Sequence, residues 1–495
     1  MPLNPLLLTD VYKMSHMRCY APGTTKVYSY LQARSNKCFN KMVFFGLQYY
    51  LKKYLLYPLK PHMADEFISV SEAILGECPP DVQEKVRALC NLGYWPVEIR
   101  AVKEGSVVPV KNVLMTITNT HPDFYWCVGF IESLLLKVWY TCTVATHSHH
   151  YRETIEQYFE WTVDDDQRFL IPFMVHDFGY RGDSSEEGAA ISGVAHLCNF
   201  TGSDTVPAYN CARDYYYGGL TQDPIMASVP ASEHSVMCSF GKEDELAAFE
   251  NMLDKYPIGI VSIVSDTFDV YRVLTEFAGK LKDRILARNG KVVFRPDSGN
   301  PEHIICGDPD AEEGSNEQKG AIRLLDEMFG STINSKGYKV LNEKVGLIYG
   351  DGMYLERYKR TLDRMLDMGY AASNLVIGVG GILRNHSRDT LGFAIKATYV
   401  EVNGESRDIE KDPVTDKGKK SHKGLMALVC PGGTYCTLDR IPPKEYPHLE
   451  DVLQVVYRDG ELGETTETLL SIRERINTSI KESLDRANVL EKCPQ

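Results

Sequence analysis

Between residues 170 and 381 the chain repeats one pattern five times: a short apolar run, a turn rich in Gly and Asp, then a helical stretch. The runs are LIPFMVHDFGYRG (170–182), IGIVSIVSDTFD (258–269), KVVFRPDSGN (291–300), KVGLIYGDG (344–352) and NLVIGVGG (374–381). A strand that is apolar at nearly every position has no face to give to water. Such runs suit strands covered on both sides, as in a parallel sheet. Strand alternating with helix over about 220 residues predicts a parallel α/β core, barrel-like in form. Ser184 and Glu187 read as a capping box that opens a helix after the first run.

The flanks read differently. Residues 25–34 alternate apolar and polar, 44–56 recur at helical spacing, and Val97 to Thr118 is a β pattern broken at Gly105 and Pro109. A long helical region follows over 122–161; beyond Arg388 the chain returns to strands at 391–402, 425–430, 435–438 and 451–462, closed by a helix near 466–488. The expected fold class is therefore α/β: an irregular parallel barrel-like core over 146–388, beside a β-rich domain built from 1–145 and 389–495. Phe124 to Ala145 is apolar enough to suggest a membrane, but Glu132 and Lys137 in its middle make a buried helix the better reading.

The formal charge of −13 disfavours a general nucleic-acid binder. Thirteen cysteines, an odd number without a CxxC pair, suit reduced thiols in a cytoplasmic protein better than a disulfide framework. The first ten residues lack the basic start of a signal peptide. Asp164–Asp166 and the basic stretch Lys417 to Lys423 read most simply as solvated loops.

In a parallel barrel, chemistry collects at the C-terminal ends of the strands. The endings here carry His176-Asp177-Phe178-Gly179-Tyr180-Arg181, Ser265-Asp266, Arg295-Pro296-Asp297, Gly350-Asp351-Gly352 and Gly378-Val379-Gly380-Gly381. One Asp-Gly is an ordinary turn; five such endings in series point to a shared site. The glycines let backbone N–H groups approach a phosphate. Arginines supply forked donors, unless they merely pair with neighbouring acids. Asp297 and Asp351 could accept ribose hydroxyls or support Mg²⁺. Together they suggest a sugar phosphate with a metal. His234 stands alone in Ser228 to Ser235, where a lone histidine is more often structural than catalytic. His147, His149 and His150 resemble a metal cluster, but their helical spacing lacks a tetrahedral partner set. No P-loop, GxGxxG, GxSxG or HExxH occurs in a suitable context.

These segments carry a resemblance. Thr9 to Lys13, His176 to Gly182, Gly202 to Thr205, Ser228 to Ser235, Val264 to Asp266, Arg295 to Pro301, Gly350 to Gly352 and Lys411 to Val414 are similar, in order, to the nicotinamide phosphoribosyltransferases, with similarity running from about Thr9 to about residue 465. The resemblance implies Mg²⁺-dependent condensation of nicotinamide with phosphoribosyl pyrophosphate to nicotinamide mononucleotide and pyrophosphate, with ATP as co-substrate. It implies a homodimer in which Phe178 stacks on one face of the pyridine and the partner subunit's Tyr12 covers the other. Asp204 would read the amide, Arg181 and Arg295 would hold the carboxamide region and phosphates, and Asp351 the ribose. Gly380, Gly381 and Arg388 would form the 5′-phosphate site, with Lys411 and Lys423 near the pyrophosphate or nucleotide phosphates. His234 would be the phosphorylated histidine, oriented by Asp266; Asp297 is carried with them as a catalytic candidate. Mg²⁺ would be held mainly through the pyrophosphate, with Asp297 as the candidate protein ligand.

Phe173 and Gly346 stand where relatives resembling the vertebrate sequences have tyrosine and arginine, and the glycine loop before Arg388 is one residue shorter. The nearest alternative is a nicotinate-using enzyme of the same fold, which Asp204 disfavours. A non-catalytic binding protein on this scaffold is disfavoured by the presence of His234, Asp204, Arg295 and Asp351 together. An aldolase-like barrel lacks its strand-end lysine.

Overall fold

The computed structural model describes residues 3–415, 420–464 and 466–491. Residues 417–419 of the basic stretch therefore lie outside the described residues. The chain divides into two compact units. One comprises the described part of Met1–Thr146 with Ala212–Thr221 and His386–Lys481. The other comprises His147–Cys211, Gln222–Asn385 and the described residues after Lys481.

The second unit holds five parallel strands: β1 (Val175–Asp177), β2 (Ile258–Val264), β3 (Asn289–Arg295), β4 (Val345–Tyr349) and β5 (Leu375–Val379), in the spatial order β1-β5-β4-β3-β2. Isolated parallel bridges at Asp177–Ser203, Gly202–Ala227 and Ala231–Ser262 carry the ladder from β1 round to β2, so the sheet curls into an irregular barrel. Strand alternation explains the double coverage. Val261, Ile263, Val292, Phe294, Val345, Leu347, Leu375 and Ile377 are buried in one cluster with helix residues such as Phe249, Leu281, Leu325 and Leu362. Each such side chain contributes roughly 1.5–3 kcal/mol on burial. Lys291, Val293, Gly346 and Val376 fall on the opposite, interior face and stay half-buried.

Two local expectations need correction. Only Val175–Asp177 of the first run is a strand; Asp165–Phe173 forms 3₁₀ turns, since Pro172 has no N–H for a ladder. Helix α1 (Glu186–Leu197) is capped not by Ser184 but by Ser185, whose hydroxyl accepts from Gly188 N at 3.0 Å.

The first unit is built on a seven-stranded antiparallel sheet in the order Glu405–Asp408, Phe393–Val402, Thr24–Ala33, Val113–Asn119, Val97–Ala101, Gln454–Arg458, Glu461–Leu462. N- and C-terminal segments thus share one sheet: Thr24–Ala33 pairs with Phe393–Val402, placing Val27 opposite Val400 and Leu31 opposite Ile395. Lys13, 3% exposed at its side chain, pairs with Glu132 at 2.8 Å, which answers the charge in the apolar 124–145 stretch. Among the described residues no single helix is long and apolar enough to cross a membrane; Pro122–Leu135 and Val138–Thr162 pass such a test only together, across a 43° bend. The twelve described cysteines are free thiols.

Candidate active site

The barrel strands and the two bridged segments all deliver their chemistry at the same end. Phe178 and Arg181 follow β1, Asp266 follows β2, Asp297 follows Arg295 of β3, Asp351 follows β4, and Gly380 and Gly381 follow β5. Asp204 and His234 follow the bridged residues Ser203 and Ala231. Ten of the sequence candidates therefore converge on one lip, and they do so because parallel strands all end on the same side.

Phe178 is half-buried, its N–H donating to Val379 O at 3.0 Å. Its ring lies against the β5 backbone: a Cβ on Gly378 would come within 2.1 Å of Phe178 Cε2. Only glycine leaves that room. Gly381 faces open space, with nothing within 4 Å of where its Cβ would stand. Arg181 is exposed and makes no hydrogen bond or ion pair with another described residue.

Asp204 is exposed. Its N–H donates to Asp177 O at 2.9 Å, and its carboxylate accepts from the Ser228 hydroxyl. This ties Asp204 to the peptide that joins Asp177 to Phe178. Burial holds the nearby His176 imidazole below its usual range, with the Asp204 carboxylate opposing.

His234 begins a short helix, His234–Cys238, with its side chain 47% exposed. Its Nε2 lies 3.3 Å from Asp266 Oδ1. Asp266 is itself 5% exposed and anchored, its Oδ2 accepting from Asp297 N at 2.8 Å and Ser298 Oγ at 2.5 Å. Burial pushes the Asp297 carboxyl up. Arg295 and His234 pull it down, while the Asp266 and Asp351 carboxylates add to the rise. Arg295 donates from Nη2 to Ser232 O at 2.8 Å, and its buried Nε has no hydrogen-bond partner among the described residues.

The remaining candidates belong to the first unit. Tyr12, 60% exposed, lies on the 3₁₀ segment Val11–Arg18 and meets His16 edge-on at 4.8 Å. Arg388 pairs with Asp389 at 3.1 Å, and Lys423 with Glu410 at 3.3 Å. Lys411 donates its backbone N–H to Ser421 Oγ at 3.0 Å. Two residues escaped the sequence reading. Lys396, on the strand Phe393–Val402, has its amine lowered by burial and, against Glu132, by the neighbouring cations Arg34, Lys411 and Arg388. Arg34 and Lys396 thus join Arg388 and Lys411 in one positive cluster. The available signal was a lysine in an otherwise apolar strand run. In the His147–His150 segment, His149 contacts Asn199 at 3.3 Å and His150 contacts Glu153 at 3.3 Å. No group of three or more His, Cys, Asp or Glu poised for a metal occurs among the described residues.

Residues 173–461 match the profile of the nicotinate phosphoribosyltransferase (NAPRTase) family, and residues 4–64 match the nicotinamide phosphoribosyltransferase N-terminal domain. A nicotinamide phosphoribosyltransferase of Acinetobacter baylyi is 41% identical, over 98% of this chain and 99% of its own. One from Xanthomonas campestris is 39% identical over 93% and 95%, and one from Mycoplasma pneumoniae 33% over 85% and 95%. In fold, the chain is similar to the nicotinate-nucleotide pyrophosphorylase of Pyrococcus furiosus (TM-score 0.58, 16% identity, 97% of this chain and 96% of that one). It is also similar to human nicotinic acid phosphoribosyltransferase (TM-score 0.55, 16% identity, 96% and 93%). Barrel, site and relatives together define a pentosyl-transferring enzyme, a phosphoribosyltransferase. The chain belongs to the nicotinate phosphoribosyltransferase family.

Proposed function

We propose that the enzyme transfers the phosphoribosyl group of phosphoribosyl pyrophosphate to nicotinamide, giving nicotinamide mononucleotide and pyrophosphate. The observation that carries the choice of base is Asp204, a carboxylate held on the barrel lip by Ser228 and the Asp177 backbone. A carboxylate accepts a hydrogen bond from an amide NH₂ and repels the carboxylate of nicotinic acid. The relatives named above, similar along nearly their whole length, support the same base.

In the reaction the pyridine nitrogen attacks the anomeric carbon as its bond to the pyrophosphate oxygen breaks. The nucleophile carries no proton to remove, so positioning and electrostatics supply most of the rate. Phe178 stacks on the ring, Arg181 and Arg295 hold the carboxamide region and phosphate oxygens, and Asp351 accepts from the ribose. Gly380 and Gly381 offer backbone N–H groups to the 5′-phosphate, and the cluster of Arg34, Arg388, Lys396 and Lys411 suits phosphate as well. Lys423 would supply a further cation to phosphate oxygens. Oxygens of Asp297 and Asp351 would support Mg²⁺, which would be held mainly through the pyrophosphate and water. Bound there, Mg²⁺ neutralises charge growing on the leaving group.

ATP enters through His234. With Nε2 beside Asp266, Nδ1 attacks the γ-phosphorus and ADP leaves, which puts new negative charge and oxygen ligands beside the pyrophosphate. The active unit is a homodimer in which the partner subunit's Tyr12 covers the second face of the base.

Mass-resolved product analysis with phosphoribosyl pyrophosphate, Mg²⁺ and both bases in competition tests the reading. Nicotinamide mononucleotide is expected to dominate. Asp204→Ser should cut the nicotinamide-to-nicotinate ratio of kcat/KM by tenfold or more; an unchanged ratio overturns the assignment.

A further inference from the structure

Beneath the lip lies a charged group that the chemistry above does not use. Asp177, Asp183 and Arg384 have side chains 0%, 4% and 1% exposed. Arg384 Nη2 donates to Asp177 Oδ1 at 2.7 Å and Oδ2 at 2.6 Å, and its Nε donates to Asp183 Oδ2 at 2.8 Å. Asp183 also accepts from Ser192 Oγ of α1 at 2.8 Å. Burial would push the Asp177 carboxyl up, but Arg384, His196 and the Gly179 N–H together hold it below the usual carboxylate range.

Buried ion groups seldom add net stability over apolar packing, so their value is sought in what they fix. Asp177 fixes three segments at once. Its carboxylate accepts from Gly179 N at 2.8 Å, and its carbonyl accepts from Asp204 N at 2.9 Å. Arg384 belongs to the loop that begins Gly380-Gly381 and is closed by Arg384 N to Gly381 O at 2.9 Å. The glycines of the Phe178–Gly182 turn are needed for this approach. A Cβ on Gly179 would lie 2.9 Å from Arg384 Cζ, and one on Gly182 would lie 2.8 Å from Gly381 Cα.

We propose that Arg384 is a positioning residue, whose forked bridge to Asp177 and Asp183 sets the spacing between Phe178, Asp204 and the Gly380-Gly381 loop, and so sets base affinity and discrimination. This rests on the assignment of the base site made above. Lysine in place of Arg384 keeps the charge but cannot make the fork.

The test uses the full-length enzyme with Arg384→Lys and Asp183→Asn, and Asp204→Ser alongside. Both triad variants are expected to raise KM for nicotinamide at least fivefold with kcat changed less than threefold, and to lower the nicotinamide-to-nicotinate ratio. If Tm falls while KM and the base ratio of the folded enzyme stay at wild-type values, the group is only structural and the proposal fails. If Arg384→Lys does not fold, Asp183→Asn, which keeps the Asp177 pair, decides by the same readout. An unchanged ratio in Asp204→Ser overturns the base-site assignment itself. A changed ratio there, with unchanged triad variants, overturns only the positioning role.

Discussion

His234 shows how much one side chain can depend on its neighbour. An exposed imidazole on a one-turn helix has no fixed aim of its own. Asp266, buried and held by the Asp297 N–H and the Ser298 hydroxyl, supplies one. Carboxylates orient catalytic histidines in this way, fixing which nitrogen faces the reactant. His234→Ala should therefore abolish ATP hydrolysis and the stimulation by ATP, while slow ATP-independent transfer survives. Assays of ADP release and mononucleotide formation, with and without ATP, check this; full coupling in the variant would refute it. The segment around His234 does not by itself display this contact, since the partner stands 32 positions away, at the end of another strand.

At the scale of elements, α1 ends against the strand whose loop carries Phe178. His196 in its last turn is fully buried, its Nδ1 2.7 Å from Ser148 Oγ and its Nε2 3.1 Å from Gly202 O. Burial, opposed by Asp177 and assisted by Arg384, pushes its imidazole down to about 4. The sign follows. Above about pH 6.5 both folded and unfolded forms are neutral. Below it the unfolded chain takes a proton that the folded chain refuses until about pH 4, so stability is lost as pH falls. At about 1.4 kcal/mol per unit the loss approaches roughly 3 kcal/mol. Asp177, depressed as well, deepens the loss below its own unfolded value, near 3.8. Urea midpoints from pH 7 to pH 4.5 should fall in the wild type, and fall less in His196→Asn; equal slopes would remove His196 as the cause. The strands and turns of this region were legible from their apolar runs. The bridged segments at 201–203 and 227–231 were not, because one or two bridges per segment leave no period-2 pattern to read.

For the whole molecule, the expected dimer has a direct test. If Tyr12 of one subunit completes the site of the other, Tyr12→Ala and Asp297→Ala lie in complementary halves of a shared site. Mixing the two inactive variants under exchange should recover about a quarter of wild-type sites by the two-fold statistics of a C₂ pair. No recovery, with exchange shown by mass spectrometry, would place Tyr12 outside the partner's site. The pairing of chain ends belongs to this scale too. Thr24–Ala33 is an interior strand of its sheet, flanked by Val113–Asn119 and Phe393–Val402. Its sequence suggested a strand but not its neighbours, since backbone hydrogen bonds carry no record of which distant strand completes them.

Local sequence determined the parts of this enzyme that rest on local physics. Apolar runs specified strands because a doubly covered strand has no polar face, and the Gly- and Asp-rich endings marked the lip because parallel strands all finish on one side. Only the tertiary structure decided which distant groups share a charge or a hydrogen bond: Arg384 with two aspartates, and Arg34 and Lys396 beside Arg388 and Lys411. Those interactions fall off within a few ångströms in space but are indifferent to separation along the chain, so no periodicity or motif could display them.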